Sequence, residues 1–274
     1  LTGYYHEISR NDYYVGEVLN ELERQEIADN TYLIFLSDNG RPFPRSKTYL
    51  YKNGIQTPFV IVGPNVKPGR TNALISTVDV AATVLELAGL GVLETIQGVS
   101  FKNTFQNHDA IVREVAFAER NWHRYSMHER MVRIGDWIYI RNNWPNKRNL
   151  SGESDPHMFP AAKELWNNYE KGRLTPSQAL ITLLPQPAEE LYHTKNDPHN
   201  LSNVLYEPEN CEIVNQMRIL LTLWTNQTGD NIPDNPTPHK ATLRGDLLKW
   251  ERREMPGDAT SAHLINHPGP ILIN

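Results

Sequence analysis

The run Thr31-Tyr32-Leu33-Ile34-Phe35-Leu36 is apolar, β-branched and aromatic without a break, and it stops abruptly at Ser37-Asp38-Asn39-Gly40. Such a short unbroken run predicts a central strand covered on both faces. A polar loop at the carboxyl end of a buried strand is where α/β proteins place their ligands. Working outward, Ile8, Val15, Val18, Leu19 and Leu22 recur with charges between them and predict an amphipathic helix from Ile8 to Glu26, broken by Asp29-Asn30. Downstream, Arg41 to Asn53 reads as a cationic, proline-bearing loop, and Pro58-Phe59-Val60-Ile61-Val62 as a second buried strand. Ser76 or Thr77 then caps a helix with Val78, Ala81, Ala82, Leu85 and Ala88 on one face, stopped by Gly89. Helix, strand, loop, strand, helix is part of a doubly wound α/β sheet.

Past Ser100 the pattern changes. Glu114 to Ala118, Met131 to Ile134 and Trp137 to Ile140 alternate like antiparallel strands. Helix-like stretches run from Pro160 to Glu170 and from Pro176 to Leu184, Glu190-Leu191-Tyr192 is a short strand, and Glu209 to Thr225 is an amphipathic helix. The expected division is therefore residues 1–105, the end of an α/β domain, and residues 106–274, a smaller α+β unit with an antiparallel sheet and an extended tail.

Composition bounds the function. The 274 residues carry 27 Lys and Arg against 32 Asp and Glu, a formal charge of −5, which argues against general nucleic-acid binding. No uncharged apolar stretch is long enough to span a bilayer. Cys211 has no partner for a disulfide and makes no metal site by itself. The sequons at Asn149, Asn200 and Asn226 read as chance matches in an Asn-rich chain.

The chemistry concentrates after the first strand. Asp38 and Asn39 offer hard oxygen ligands suited to calcium or magnesium rather than zinc. Lys47 follows in the same loop as a point charge suited to an oxyanion. Taken alone, Asp-Asn-Gly is equally a turn tripeptide. The segment Leu33 to Gly40, the run Lys47 to Pro58, Ser76-Thr77-Val78-Asp79-Val80-Ala81-Ala82-Thr83, and Glu190-Leu191-Tyr192 with Asn196-Asp197-Pro198 and Asn200-Leu201 together resemble the type I sulfatases of the alkaline-phosphatase superfamily. Arg41-Pro42-Phe43-Pro44 is similar to the heparan N-sulfatase branch.

The resemblance implies that Asp38 and Asn39 ligate calcium (or magnesium) and that Lys47 holds the sulfate and steadies the leaving atom. It implies a formylglycine nucleophile made from a Cys/Ser-x-Pro-x-Arg motif. Cys211 sits in Asn-Cys-Glu-Ile-Val, which does not match, so the chain looks like the C-terminal part of a sulfatase and is expected to be inactive alone. By the same resemblance Glu119 and His123 contact a sugar, with His128 and Arg130 carrying less weight in that role; Arg45 either faces an acidic glycan or is merely exposed. A solvated strand end is the simpler explanation of the first pair. Trp144, Lys147 and Arg148 form a basic aromatic patch that suits either an anionic glycan or a turn. His193, His199, His239, His263 and His267 lack metal-ligand spacing and read as surface residues. Trp250 reads as part of a solvated helix face.

The expected activity is hydrolysis of sulfate esters or sulfamates of heparan-type glycans. Its rivals are a phosphodiesterase or phosphonate hydrolase of the same superfamily, and a non-catalytic glycan-binding module. Expected partners are a sulfated saccharide and no nucleic acid, with a homodimer compatible with the resemblance. The implied compartment is periplasmic, lysosomal or extracellular.

Overall fold

The computed structural model describes residues 1–242, 246–249 and 267–273; Trp250 and His263 lie outside them. No helix among the described residues is long and apolar enough to cross a membrane. The chain divides into two units. One comprises residues 1–37 and 58–70, the other residues 38–57 and 71–274.

In the first unit, helix α1 (Thr2–Arg24) is followed by strand β1 (Leu33–Leu36), which pairs antiparallel with β2 (Phe59–Val62) in the register Leu33↔Val62 to Leu36↔Phe59. α1 buries no residue completely; Val15 and Leu22 of its expected apolar face are half-buried, while Ile8, Val18 and Leu19 are exposed. Among the described residues the expected cover on both faces of β1 is incomplete. Leu36 is exposed, and so are Val60 and Val62 on the partner strand. Among the described residues the two strands make a sheet of their own.

The second unit is built on a four-stranded antiparallel meander, β3 (Val115–Trp122), β4 (Ser126–Ile134), β5 (Trp137–Asn142) and β6 (Glu189–His193), in that spatial order. Period-two alternation sends its side chains to opposite faces. Val132, Tyr139 and Leu191 pack against Val214, Met217 and Leu221 of α6 (Cys211–Gln227). Met131, Ile138, Ile140 and Tyr192 pack against Tyr49, Leu50 and Tyr51. The segment read as a polar loop thus carries an apolar triplet that seats it on the sheet, next to the one-turn helix α2 (Lys52–Ile55). A third cluster joins Tyr125, Leu150 and Ile181 to Leu165 of α4 (Pro160–Glu170), ahead of the short α5 (Pro176–Ala179).

Helix α3 (Asp79–Leu87) ends as expected at Gly89, whose φ of +72° is open to glycine. Its start differs from the expectation. Neither Ser76 nor Thr77 caps it through a side chain. The buried Asp79 carboxylate instead accepts from the Ser76 and Val99 amides, each at 2.8 Å, and from Arg113 Nε at 3.0 Å.

Two of the sequon asparagines are structural. Asn149 is buried and donates to Glu129 Oε1 at 2.8 Å, and Asn200 is buried and accepts from the Lys52 amide at 2.7 Å. Asn226 is exposed on α6.

Candidate functional site

Asp38 and Asn39 open a loop whose two ends are held together by glycines. The Gly40 amide donates to the Gly54 carbonyl at 2.9 Å. A Cβ on Gly40 would lie 2.0 Å from the Asn53 carbonyl oxygen, and one on Gly54 would lie 2.1 Å and 2.2 Å from the Tyr49 and Ser46 oxygens. Only glycine permits this approach of backbone to backbone. Inside the loop the Lys47 amide donates to the Arg41 carbonyl at 3.1 Å, and Ser46 Oγ donates to the Asn53 carbonyl at 2.7 Å. Arg45 and Thr48, on either side of Ser46 and Lys47, adopt φ of +61° and +70°. For a β-branched threonine this is a costly conformation, of the kind found where surrounding structure over-determines a functional loop.

The surrounding structure is the sheet. Tyr49 Oη donates to the Asn149 carbonyl at 2.7 Å, and Tyr51 Oη to the Glu190 carboxylate at 3.2 Å. Tyr192 Oη bonds the same carboxylate. Burial pushes the Glu190 carboxyl up to about 7, against the opposing hydrogen bond from Tyr192, and Glu129 adds to the rise. Arg45, expected to face a glycan, is committed to the protein. Its guanidinium lies 3.7 Å from the Tyr51 ring centre and donates to the carbonyls of His199 (2.8 Å) and Asn200.

The Lys47 ammonium, about one-third exposed, stands 4.0 Å from Oε1 of Glu153. Glu153 is buried in the 3-10 turn Gly152–Ser154, and its other oxygen has no hydrogen-bond partner among the described residues. His123, exposed at the β3–β4 turn, packs against the same segment: a Cβ on Gly152 would lie 3.2 Å from His123 Cε1. Lys47 and His123 are thereby brought to one turn. Glu119 goes elsewhere, half-exposed and 3.7 Å from Arg130.

His128 and Arg130 are buried. Arg130 makes two hydrogen bonds to Asp230, at 2.6 and 2.7 Å. His128 meets Asn143 and the Asn231 carbonyl, and burial followed by the nearby Arg130 charge lowers its pKa. The basic aromatic patch separates: Lys147 lies 3.6 Å from the Trp144 ring centre, while Arg148 reaches Tyr169. His239, expected at the surface, is half-buried and accepts from the Ser126 amide at 2.9 Å. Cys211 is an exposed free thiol at the start of α6.

The donor chemistry of Asp38 and Asn39 fits a hard cation. The Asn39 amide nitrogen is taken up by the Gly40 carbonyl at 2.7 Å, which directs the amide oxygen to the other side, and Asp38 contributes carboxylate oxygen. Calcium takes six to eight oxygens. Among the described residues no three His, Cys, Asp or Glu side chains gather as a metal site, so the pair amounts to part of a coordination sphere.

Sequence reasoning missed Glu153 and the Tyr49–Tyr51–Glu190 seat of the loop. An apolar triplet inside a polar loop is the signal that could have found the seat. Glu153 stands in Ser-Gly-Glu-Ser-Asp, which resembles any exposed turn.

Comparison with known proteins gives a consistent picture. The sulfatase family model matches residues 1–90. The chain is 31% identical over 243 residues to an ulvan-active sulfatase of Formosa agariphila, covering 86% of this chain and 40% of that protein. It is 25% identical to the human N-sulphoglucosamine sulphohydrolase, covering 84% of this chain and 48% of the relative. Its fold matches the structure of BT4656 in complex with D-glucosamine-2-N,6-O-disulfate at a TM-score of 0.58 and 23% identity, covering 81% of this chain and 40% of that one. The chain thus spans less than half the length of these relatives. Over most of its own length the chain is similar in sequence to sulfatases and has the fold of the sulfatase structures it matches.

Proposed function

We propose that this chain is part of an enzyme that hydrolyses sulfate esters or N-sulfates of glycans, of the glucosamine-bearing or ulvan type on which its relatives are named to act. The observation that carries the reading is the loop from Asp38 to Gly54, folded so that Lys47 projects beside Glu153 and the turn that His123 touches. In this reading residues 1–105 close the catalytic domain and residues 106–274 complete the substrate side.

Asp38 and Asn39 would hold calcium (magnesium being the smaller alternative), which when bound supplies positive charge to the sulfuryl oxygens. Lys47 donates hydrogen bonds to a sulfuryl oxygen or to the leaving atom, where negative charge grows as the bond to sulfur breaks. Glu153 keeps the ammonium oriented. His123 meets the sugar, with Glu119 further along β3. Arg45 acts through the loop it braces. The nucleophile would be a formylglycine supplied outside the residues of this chain. A route to periplasm, lysosome or exterior and a homodimeric assembly belong to the same reading.

The test is sulfate release from glucosamine 2-N-sulfate and glucosamine 6-sulfate by the natural protein that contains this sequence. We expect release that is abolished by chelation and lowered about 10²–10³-fold by Lys47→Ala. Hydrolysis of phosphonate or phosphodiester substrates in place of sulfated ones would overturn the reading, and glycan binding without hydrolysis would reassign the protein to a binding role.

A further inference from the structure

The loop that carries Lys47 is bounded by the two Asn-Gly steps of the sequence, Asn39-Gly40 and Asn53-Gly54. Such a step is the peptide linkage most open to attack from within, because a residue without Cβ leaves its nitrogen unshielded beside the side-chain amide that precedes it. Here the two glycines are joined. The Gly40 N–H donates to the Gly54 carbonyl at 2.9 Å, and the Gly54 N–H donates to the Tyr51 carbonyl at 2.8 Å. Both glycines are buried. Each nitrogen that could attack is therefore engaged while the loop is closed.

The two steps are not equivalent. Asn53 lies inside the one-turn helix α2, whose backbone carries the next nitrogen along the helix axis, and its Oδ1 is held by the Arg41 guanidinium at 3.1 Å. Asn39 lies in an irregular bend, half-buried, beside the exposed Asp38. Its Nδ2 donates to the Gly40 carbonyl at 2.7 Å, so the side chain is already folded over the residue whose nitrogen would attack it. Between the two steps the loop stores strain, with Arg45 and Thr48 at φ of +61° and +70°. Strain held only by the surrounding contacts lowers the cost of opening.

We propose that Asn39 is a modification site, at which isoaspartate forms when the Gly40–Gly54 closure opens. The Gly40 amide nitrogen gives up its proton and bonds to Asn39 Cγ. The Cγ–Nδ2 bond breaks, and ammonia leaves with that proton. Water then adds to one carbonyl of the cyclic imide and breaks its bond to nitrogen, which gives aspartate or isoaspartate at position 39. The isoaspartyl product routes the backbone through the side-chain carbon, and the added methylene keeps the Gly40 amide from returning to Gly54. The change is one-way, so every opening puts the loop at risk of permanent loss, and the age of a molecule is recorded beside Asp38. Nothing in this chemistry depends on the chain being part of a sulfatase.

The test is peptide mapping by mass spectrometry, with isoaspartyl-methyltransferase labelling of the fragments, after incubation of this chain at mildly alkaline pH. The parent is followed in buffer and in urea, beside Ser46→Ala and Gly54→Ala. Ser46→Ala removes the 2.7 Å bond to the Asn53 carbonyl without introducing a clash. Gly54→Ala forces the loop open and abolishes the second Asn-Gly step, so its gain belongs to Asn39. We expect conversion at Asn39 to run about tenfold faster or more in urea than in buffer, about threefold faster in Ser46→Ala, and about tenfold faster in Gly54→Ala with the circular dichroism of the sheet retained. Asn53 should lag behind Asn39 in every folded sample. Equal rates in buffer and urea, conversion of Asn53 ahead of Asn39, or no conversion at Asn39 even in urea would each overturn the proposal. If Gly54→Ala does not fold, Ser46→Ala decides: a rate at Asn39 unchanged from the folded parent overturns it too.

Discussion

Glu190 and His128 tilt the stability of the second unit in opposite directions with pH. The Glu190 carboxyl is raised to about 7 by burial. A raised acid leaves its contribution intact below the ordinary value of 4.5 and loses it as pH climbs toward 7. Glu190→Gln keeps an oxygen for both tyrosine hydroxyls and removes the buried charge, so it should flatten that loss and stabilise the protein at pH 8 by up to about 3 kcal/mol. His128 is lowered by burial and by Arg130, so its contribution is present above the ordinary value of 6.5 and disappears as pH falls through the folded value. Urea unfolding from pH 4 to 8 checks both signs. A Glu190→Gln profile parallel to that of the parent would show that the carboxyl titrates alike in the folded and unfolded chain. Neither effect was readable beforehand. In the sequence Glu190 is the first letter of a Glu-Leu-Tyr box, but its burial depends on Tyr51 arriving from 139 positions away.

At the scale of elements, the buried pair between Asp79 and Arg113 links the start of α3 to the segment before β3. Arg113→Ala leaves a buried carboxylate uncompensated and should cost about 3–5 kcal/mol, while Asp79→Asn with Arg113→Met together should cost less than the single change. Thermal melts of the three variants decide it. Gly54→Ala belongs to the same scale. Its Cβ would strike two backbone oxygens, so the loop must open, and we expect lost sulfate release in the natural protein with the β3–β6 sheet intact by circular dichroism. The regular elements were legible because periodicity declares them: α4 spans Pro160–Glu170 as read, with Pro at its first turn, and β5, β6 and α6 fall within a few residues of expectation. The loop was legible in its chemistry and not in its packing. Asp38, Asn39 and Lys47 announce themselves as residue types, but Tyr49-Leu50-Tyr51 packs against strands that lie far downstream in the chain, and no local pattern names those partners.

The molecule as a whole pairs two units of unequal solidity. The first buries little: α1 has no fully buried residue, and β1 and β2 pair only with each other among the described residues. The second encloses the apolar clusters on both faces of its sheet. Local opening follows buried contacts. In hydrogen exchange on this chain, the amides of α1, β1 and β2 should exchange at least a hundredfold faster than those of β4 and β5. Equal protection in both units would contradict that ordering.

The buried asparagines Asn149 and Asn200 also bear on how this protein can be produced. Cells that attach oligosaccharides to nascent chains act before folding, when all three sequons are within reach. A bulky glycan on the side-chain nitrogen of Asn149 or Asn200 would occupy the space that Glu129 and the Asp197 carbonyl fill in the folded protein, so those molecules are lost to quality control. Material secreted by yeast or insect cells should therefore show, by intact mass, at most the single glycan that Asn226 can display, and at reduced yield. A bacterial expression host avoids the loss altogether.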